Sequence, residues 1–365
     1  IARAPAFISV MHPRKAVKNH LNARIKTSQL FPELVLENSR YYLGEVIGYG
    51  AYSTVCSAID KKSGQEVAIK KIFNWKSNTN EARRTLREID IMLHFEQSKN
   101  ILSVKDVITS ESTKKENLLI VTERMDFDLH HIISSSGGLN LSKRKKILSQ
   151  IIVGLDQLHK GGVVHRDLKP KNILMKGNRA AIADMGMSRD IVVAKKTHQR
   201  RMSLLYYTTC PPYCAPEGIL KCSTYGTESD IWALGCIWLE MILGYPYFRK
   251  SNKEDPLEKI FGICGVTSSS KKIIENFTEN NESEKLRAFK ILEENRGENL
   301  DLLLASYDVP QEEIILLRNI FQLDPNLRIT ASELLSDGFF GTKYSNPVKM
   351  YIPHETLETE ILCCQ

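Results

Sequence analysis

Apolar positions follow two regimes along the chain. Between Tyr41 and about Thr122 they come in short alternating runs. "YYLGEVIGYGAYSTVCSAID" predicts two strands around a Gly/Ser turn, "EVAIKKIF" a third, and "LLIVTERM" a buried strand. Among them "NEARRTLREIDIMLHFE" has helical spacing, with Asn80 as its cap and Leu86, Ile89, Met92 and Leu93 on one face. A five-stranded sheet with one packed helix accounts for this segment. After Met125 the spacing turns helical. "SKRKKILSQIIVGLDQLHKGG" ends in glycines, as helices commonly do. Ile231 to Leu243 is apolar nearly all round, the pattern of a helix buried at the centre of a lobe. "EEIILLRNIFQL" follows, and then Thr330 and Glu333 form a capping box ahead of Leu334 and Leu335.

The predicted class is α+β and bilobal: a small β-rich lobe over 41–124, a hinge at Glu123–Met125, and a larger helical lobe over 125–342. A basic arm, 1–40, and a tail with two prolines, 343–365, flank it. The arm is expected to be poorly ordered and the tail to lie along the surface. A cleft between lobes is a common place for a small-molecule site.

Composition adds boundaries. Apolar residues make up 42% and charged residues 25%, enough core for a globular protein. The run Ile231–Leu243 is too short to span a membrane and is interrupted by Glu240. Net charge is +7, of which Arg3, Arg14, Lys15, Lys18, Arg24 and Lys26 supply +6, so the body is near neutral and no nucleic-acid partner is expected. The arm reads as a solvated tail, an organelle-targeting segment, or a docking arm for an acidic partner or membrane. It has no signal-peptide apolar core. The chain begins at Ile1, so its natural start is expected to be missing or processed. The eight cysteines show no Cys-x-x-Cys pair and no zinc spacing, and read as reduced thiols of a cytoplasmic or nuclear protein.

Chemistry concentrates in a few places. Gly48 and Gly50 lie in a turn between strands, which is either just a turn or a loop whose backbone can close over phosphates. Lys70 sits on a buried-looking strand, where an unpaired ammonium is costly. Lys71 points to the opposite face and is expected to be solvated. Glu88 is the natural partner of Lys70, or else a surface residue of an amphipathic helix. The run His165-Arg166-Asp167-Leu168-Lys169-Pro170-Lys171-Asn172 is more specific, with Asp184 and Ala215-Pro216-Glu217 downstream. Phosphoryl transfer needs a carboxylate to orient the attacking hydroxyl, which suits Asp167. Lys169 can neutralise charge on the migrating group, and Asn172 and Asp184 offer oxygens to Mg²⁺.

With these motifs the chain resembles a eukaryotic protein kinase over about 41–342. "AYSTVCSAIDKKSGQEVAIKKI", "ARRTLREIDIMLHF" and "MDFDLHHII" make it most similar to the mitogen-activated protein kinases. "DIWALGCI" and "LDPNLRITASELL" fit the cyclin-dependent kinases equally. The resemblance implies ATP, Mg²⁺ and Ser/Thr phosphorylation of protein substrates, with an upstream kinase as partner and a monomeric state. It implies that Lys70 and Glu88 hold the α- and β-phosphates of ATP. It places Ile47, Gly48, Gly50, Val55, Ala68, Lys70 and Leu174 around the nucleotide. Thr122 would stand behind the adenine, Glu123 and Met125 would meet it through their backbone, and Asp128 would face the ribose. Glu217 would pair with Arg328, Asp230 would anchor the loop around Asp167, and Met92, His165 and Met185 would stack. A scaffold that keeps the fold without catalysis, a cyclin-dependent-kinase-like enzyme and a small-molecule kinase remain the alternatives.

The chain departs from the family at four places. Asp-Phe-Gly reads Asp184-Met185-Gly186, with Met a more adaptable filler than Phe. The Thr-x-Tyr pair reads Leu205-Tyr206-Tyr207, leaving Tyr207 and the nearby Ser203 as regulatory hydroxyls and Arg166 to bind a phosphate added there. Both arginines of the segment before Ala-Pro-Glu are gone in Cys210-Pro211-Pro212-Tyr213-Cys214. No acidic docking patch is evident in "GTKYSNPVKMYIPHE".

Overall fold

A computed structural model describes residues 27–34, 39–50, 53–76, 78–109, 117–190, 212–222, 226–249, 255–279, 281–294, 297–341, 348, 350 and 351. Contacts divide the chain into two compact units, one of residues 1–78 and 104–124, the other of residues 79–103 and 125–365. The first is a β-sheet lobe and the second a helical lobe, the α+β organisation that the sequence pattern predicts.

The sheet lobe holds β1 (Tyr41–Tyr49), β2 (Ser53–Asp60), β3 (Glu66–Ile72), β4 (Val104–Thr109) and β5 (Leu118–Glu123), in the order β1-β2-β3-β5-β4. All neighbours are antiparallel. The fifth strand, β4, is the one that no quoted run identified. On β3, Val67, Ile69 and Lys71 face one way and Ala68 and Lys70 the other, because side chains alternate. The first face is closed by α1 (Thr27–Leu30) and a short turn, Pro32–Leu34, whose Phe31 and Leu34 join Tyr41, Cys56, Val67, Ile69, Leu119 and Val121 in one buried cluster. Two expectations change here. Phe31 and Leu34 anchor this segment in the core and are not part of a loose arm, although Ser28, Gln29 and Pro32 are exposed. Lys71 does face away from Lys70, but it is buried at 3% exposure, because this segment covers it.

The helical lobe begins with α2 (Thr79–His94), which groups with this unit and packs on the turn Met185–Met187. Asn80 is its second residue and not its cap. Its buried residues are Ala82, Thr85, Glu88, Ile89, Ile91 and Met92, whereas Leu93 is exposed. Glu88 therefore lies inside the buried face, against the reading as a surface residue. Beyond β6 (Phe127–Asp128) and α3 (Leu129–Ser136) comes α4 (Leu141–Lys160), capped by the Asn140 side chain and ended at Gly161 and Gly162. Then follow β7 (Val163–Val164), β8 (Ile173–Lys176), β9 (Arg179–Ile182) and β10 (Arg189–Asp190), in a β6-β8-β9 sheet and a β7/β10 pair. Helix α5 (Pro216–Ile219) precedes α6 (Thr227–Leu243), which is buried from Asp230 to Leu243. Helices α7 (Pro256–Cys264), α8 (Ser270–Phe277), α9 (Glu282–Glu294), α10 (Leu300–Leu304), α11 (Gln311–Ile320) and α12 (Ala331–Ser336) complete the lobe, α12 with the expected capping box. Tyr351 of the tail is buried, its amide on Gly161 O and its hydroxyl on Asp90 of α2. Among the described residues no helix is long and apolar enough to cross a membrane, and Cys56, Cys214, Cys222, Cys236 and Cys264 are free thiols.

Candidate active site

The chain leaves β7 through His165 and turns at Arg166, whose φ is 70°. A non-glycine residue in this region costs about 1–2 kcal/mol. Asp230, 1% exposed near the start of α6, holds the turn in place. Its Oδ1 accepts from Arg166 N at 2.8 Å, and its Oδ2 from His165 N at 2.8 Å and His159 Nε2 at 3.0 Å. Burial alone would raise the Asp230 carboxyl. Donation from His159, the neighbouring His165 and the Arg166 amide outweigh it and hold the group below the ordinary carboxylate range.

Each step of the turn then fixes the next. The Asp167 amide donates to His165 Nδ1 at 3.2 Å, so the ring carries its proton on Nε2, 3.1 Å from Ala183 O. The Asp167 carboxylate receives Lys169 Nζ at 2.6 Å and Asn172 Nδ2 at 3.1 Å on the same oxygen, Oδ2. Asn172 Nδ2 also donates to Asp167 O at 2.8 Å, so Nδ2 is committed to this turn and the side-chain oxygen is the group's acceptor. Ala183 N bonds Asn172 O at 2.8 Å and brings Asp184 beside this turn. Asp184 is exposed and adopts φ 66° and ψ 69°, a region that Asp tolerates better than most residues. A Cβ on Gly186 would stand 3.5 Å from Asp184 Oδ1 and 3.8 Å from Glu88 Oε2, so both carboxylates border this glycine. Met185 is fully buried, as Met92 and His165 are.

A cavity of about 50 Å³ adjoins Asp167, lined by Arg166, Leu168, Tyr213, Cys214 and Glu217 among others. Glu217 is gripped by both terminal nitrogens of Arg328 at 2.7 Å, with Arg328 fully buried over the Trp232 ring. Tyr213 donates its hydroxyl to Glu240 Oε2 at 2.6 Å. Burial pushes both Tyr213 and Glu240 upward. In the sequence Glu240 is visible only as the interruption of an apolar run. A lone carboxylate there needs a partner, and that was the available signal.

In the sheet lobe, Val55, Ala68, Lys70 and Thr122 share one face, paired as Val55 with Lys70 and Ala68 with Thr122. Gly48 pairs with Val55, and Ile47 falls at a register irregularity of β1. Gly50 N closes the turn on Ser53 O at 2.8 Å. Glu123 ends β5. In the helical lobe, the Met125 sulfur lies 3.4 Å from Arg179 Nη2. Leu174 pairs with Asp128, whose carboxylate caps α3 by accepting from His131 N at 2.7 Å. Ser203, Leu205, Tyr207 and Cys210 lie outside the described residues.

The protein kinase domain family matches residues 41–340. "Extracellular signal-regulated kinase 1" of Dictyostelium discoideum is 35% identical over 82% of the chain, which spans 55% of that protein. "Mitogen-activated protein kinase 7" of Arabidopsis thaliana is 34% identical over 82% of the chain and 78% of its own length. "Mitogen-activated protein kinase 4" of rice is 33% identical over 84% of the chain and 80% of its own length.

Proposed function

Because the chain belongs to the protein kinase family and is similar within it to the mitogen-activated protein kinases, we propose that it is an active Ser/Thr protein kinase, using ATP and Mg²⁺ to phosphorylate protein hydroxyls. The observation that carries this reading is the Asp167–Lys169–Asn172 cluster held on Asp230. Asp167 orients the acceptor hydroxyl and takes its proton. Lys169, already 2.6 Å from that carboxylate, meets the charge on the transferring phosphoryl group.

The donors suit Mg²⁺. The Asn172 carbonyl and the Asp184 carboxylate are hard oxygens. Among the described residues no three His, Cys, Asp or Glu side chains form a metal cage. A partial oxygen set is what this cation uses when substrate phosphates complete its shell. Bound there, Mg²⁺ neutralises phosphate charge. The roles of Lys70 as phosphate anchor and Glu88 as its counter-ion belong to the same proposal, as does the placing of Ile47, Gly48, Gly50, Val55, Ala68, Thr122, Glu123, Met125, Asp128 and Leu174 around the nucleotide. Regulation is proposed to run through a single phosphate on Tyr207 or Ser203, received by Arg166. The setting is cytoplasmic or nuclear.

Asp167→Asn tests the reading. Transfer from ATP to a generic protein substrate should fall by about 10²–10⁴-fold while ATP still binds. Unchanged turnover removes Asp167 from its role. A wild-type protein that binds ATP but phosphorylates neither substrate nor itself supports the scaffold reading instead.

A further inference from the structure

The segment 27–34 precedes the matched kinase stretch yet is built into the sheet lobe. Phe31 is fully buried and Leu34 nearly so. Lys71 completes the joint. Its Nζ donates to Leu30 O at 2.8 Å, and it lies 5.7 Å from the Phe31 ring centroid and 5.4 Å from that of Phe73. Leu30 O is a carbonyl at the end of a one-turn helix, a group that needs a donor. A buried ammonium is expensive unless it is held, and a carbonyl with two aromatic faces is a set that holds one.

Lys71 is the residue next to Lys70. The ladder bonds of β3 to β2 and β5 fix its register, and the packing on each face then sets how its side chains are supported. Pins on one face set how the other face is presented. Val67, Ile69 and Lys71 are all pinned under the flank, and Ala68 and Lys70 emerge opposite them. We infer that Lys71 is a positioning residue: its latch onto Leu30, Phe31 and Phe73 sets the presentation of Lys70 to ATP, so that residues 27–34 act as a strut for nucleotide binding. The inference rests on the nucleotide-binding role of Lys70 proposed above.

The test varies ATP against the full chain and its Lys71→Met, Lys71→Arg, Phe31→Leu, Lys70→Met and Lys61→Met variants, the last a control on an exposed turn. Lys71→Met should raise KM for ATP by about tenfold, equivalent to about 1.4 kcal/mol, with kcat within about twofold. Phe31→Leu keeps an apolar side chain but removes one ring, and should shift KM the same way by less. Lys71→Arg, which keeps a cation, should restore KM. A merely structural role would lower the folded fraction, hence kcat, and leave KM unchanged. Unchanged KM in both Lys71→Met and Phe31→Leu, with Lys70→Met impaired, overturns the inference and spares the kinase reading. Should Lys71→Met fail to fold, Phe31→Leu decides. If wild type shows no turnover, the kinase reading fails, and the same comparison is made on the dissociation constant of ATP. Equal constants in wild type, Lys71→Met and Phe31→Leu then overturn the strut.

Discussion

Replacing Asp230 with Asn isolates what the buried anchor does. The substitution keeps size and shape but turns one acceptor oxygen into a donor. Asp230 receives the amides of His165 and Arg166 and the His159 ring, so at least one of these donors would face an NH₂ group. Losing one charge-assisted bond in a buried site costs about 1.5–3 kcal/mol. The left-handed Arg166, at φ 70°, then relaxes more easily, since its strain of about 1–2 kcal/mol is opposed by this anchor. That relaxation returns energy and adds nothing to the cost, so a loss of about 1.5–3 kcal/mol corresponds to a fall in Tm of about 3–12 °C for a lobe of this size. Asp167 follows Arg166 directly, and a misplacement near 1 Å costs about 10²-fold in rate. Thermal unfolding and steady-state kinetics on one preparation should therefore show Tm and kcat falling together. The pH sign is fixed by the depressed carboxyl. Its stabilising contribution is present above the unfolded value of about 4 and is lost as pH falls through the lower folded value. The gap in stability between wild type and Asp230→Asn should thus be widest near neutral pH and close in acid. A variant within about 2 °C and threefold of wild type would refute the anchor argument, since neither change reaches the lower bounds above.

Three further outcomes are expected. Glu217→Ala leaves the fully buried Arg328 uncompensated and should lose about 3–5 kcal/mol by denaturant unfolding, whereas Glu217→Met with Arg328→Met should recover most of it; equal losses in single and double variants would count against this. Asp184→Asn, which tolerates the left-handed backbone at φ 66° better than Ala, should abolish the extra thermal shift that Mg²⁺ adds to ATP, and a wild-type shift unaltered by EDTA would contradict the metal role. A phosphate adds about −1.5 to −2 charges, so Tyr207→Phe with Ser203→Ala should lower activity in protein whose wild type carries phosphate by mass spectrometry, and full activity would exclude control at these two hydroxyls.

Features that depend on neighbours along the chain were legible before any fold was seen. Alternation placed β1, β2, β3 and β5, and it told Lys70 from Lys71 by face. The Thr330–Glu333 capping box was legible because its two partners stand three residues apart. Asp167, Lys169 and Asn172 were legible as a group for the same reason, since one short turn brings them together. Tertiary structure decided everything that depends on cover. The period of β3 says that Lys71 points away from Lys70, but only Phe31 and Leu30, some forty residues earlier, make that face an interior. Spacing put Leu93 and Glu88 on α2, yet the turn Met185–Met187 chose the buried stripe, which includes the carboxylate and leaves the leucine outside. Glu240 read as a flaw in an apolar helix until Tyr213 arrived from a distant loop to donate to it. Asp230 likewise gains its role from amides 64 and 65 residues away. Periodicity reports the conformation of a backbone and the side to which each residue points. Which side is dry, and which buried charge finds a partner, is set by segments that share no local pattern with it.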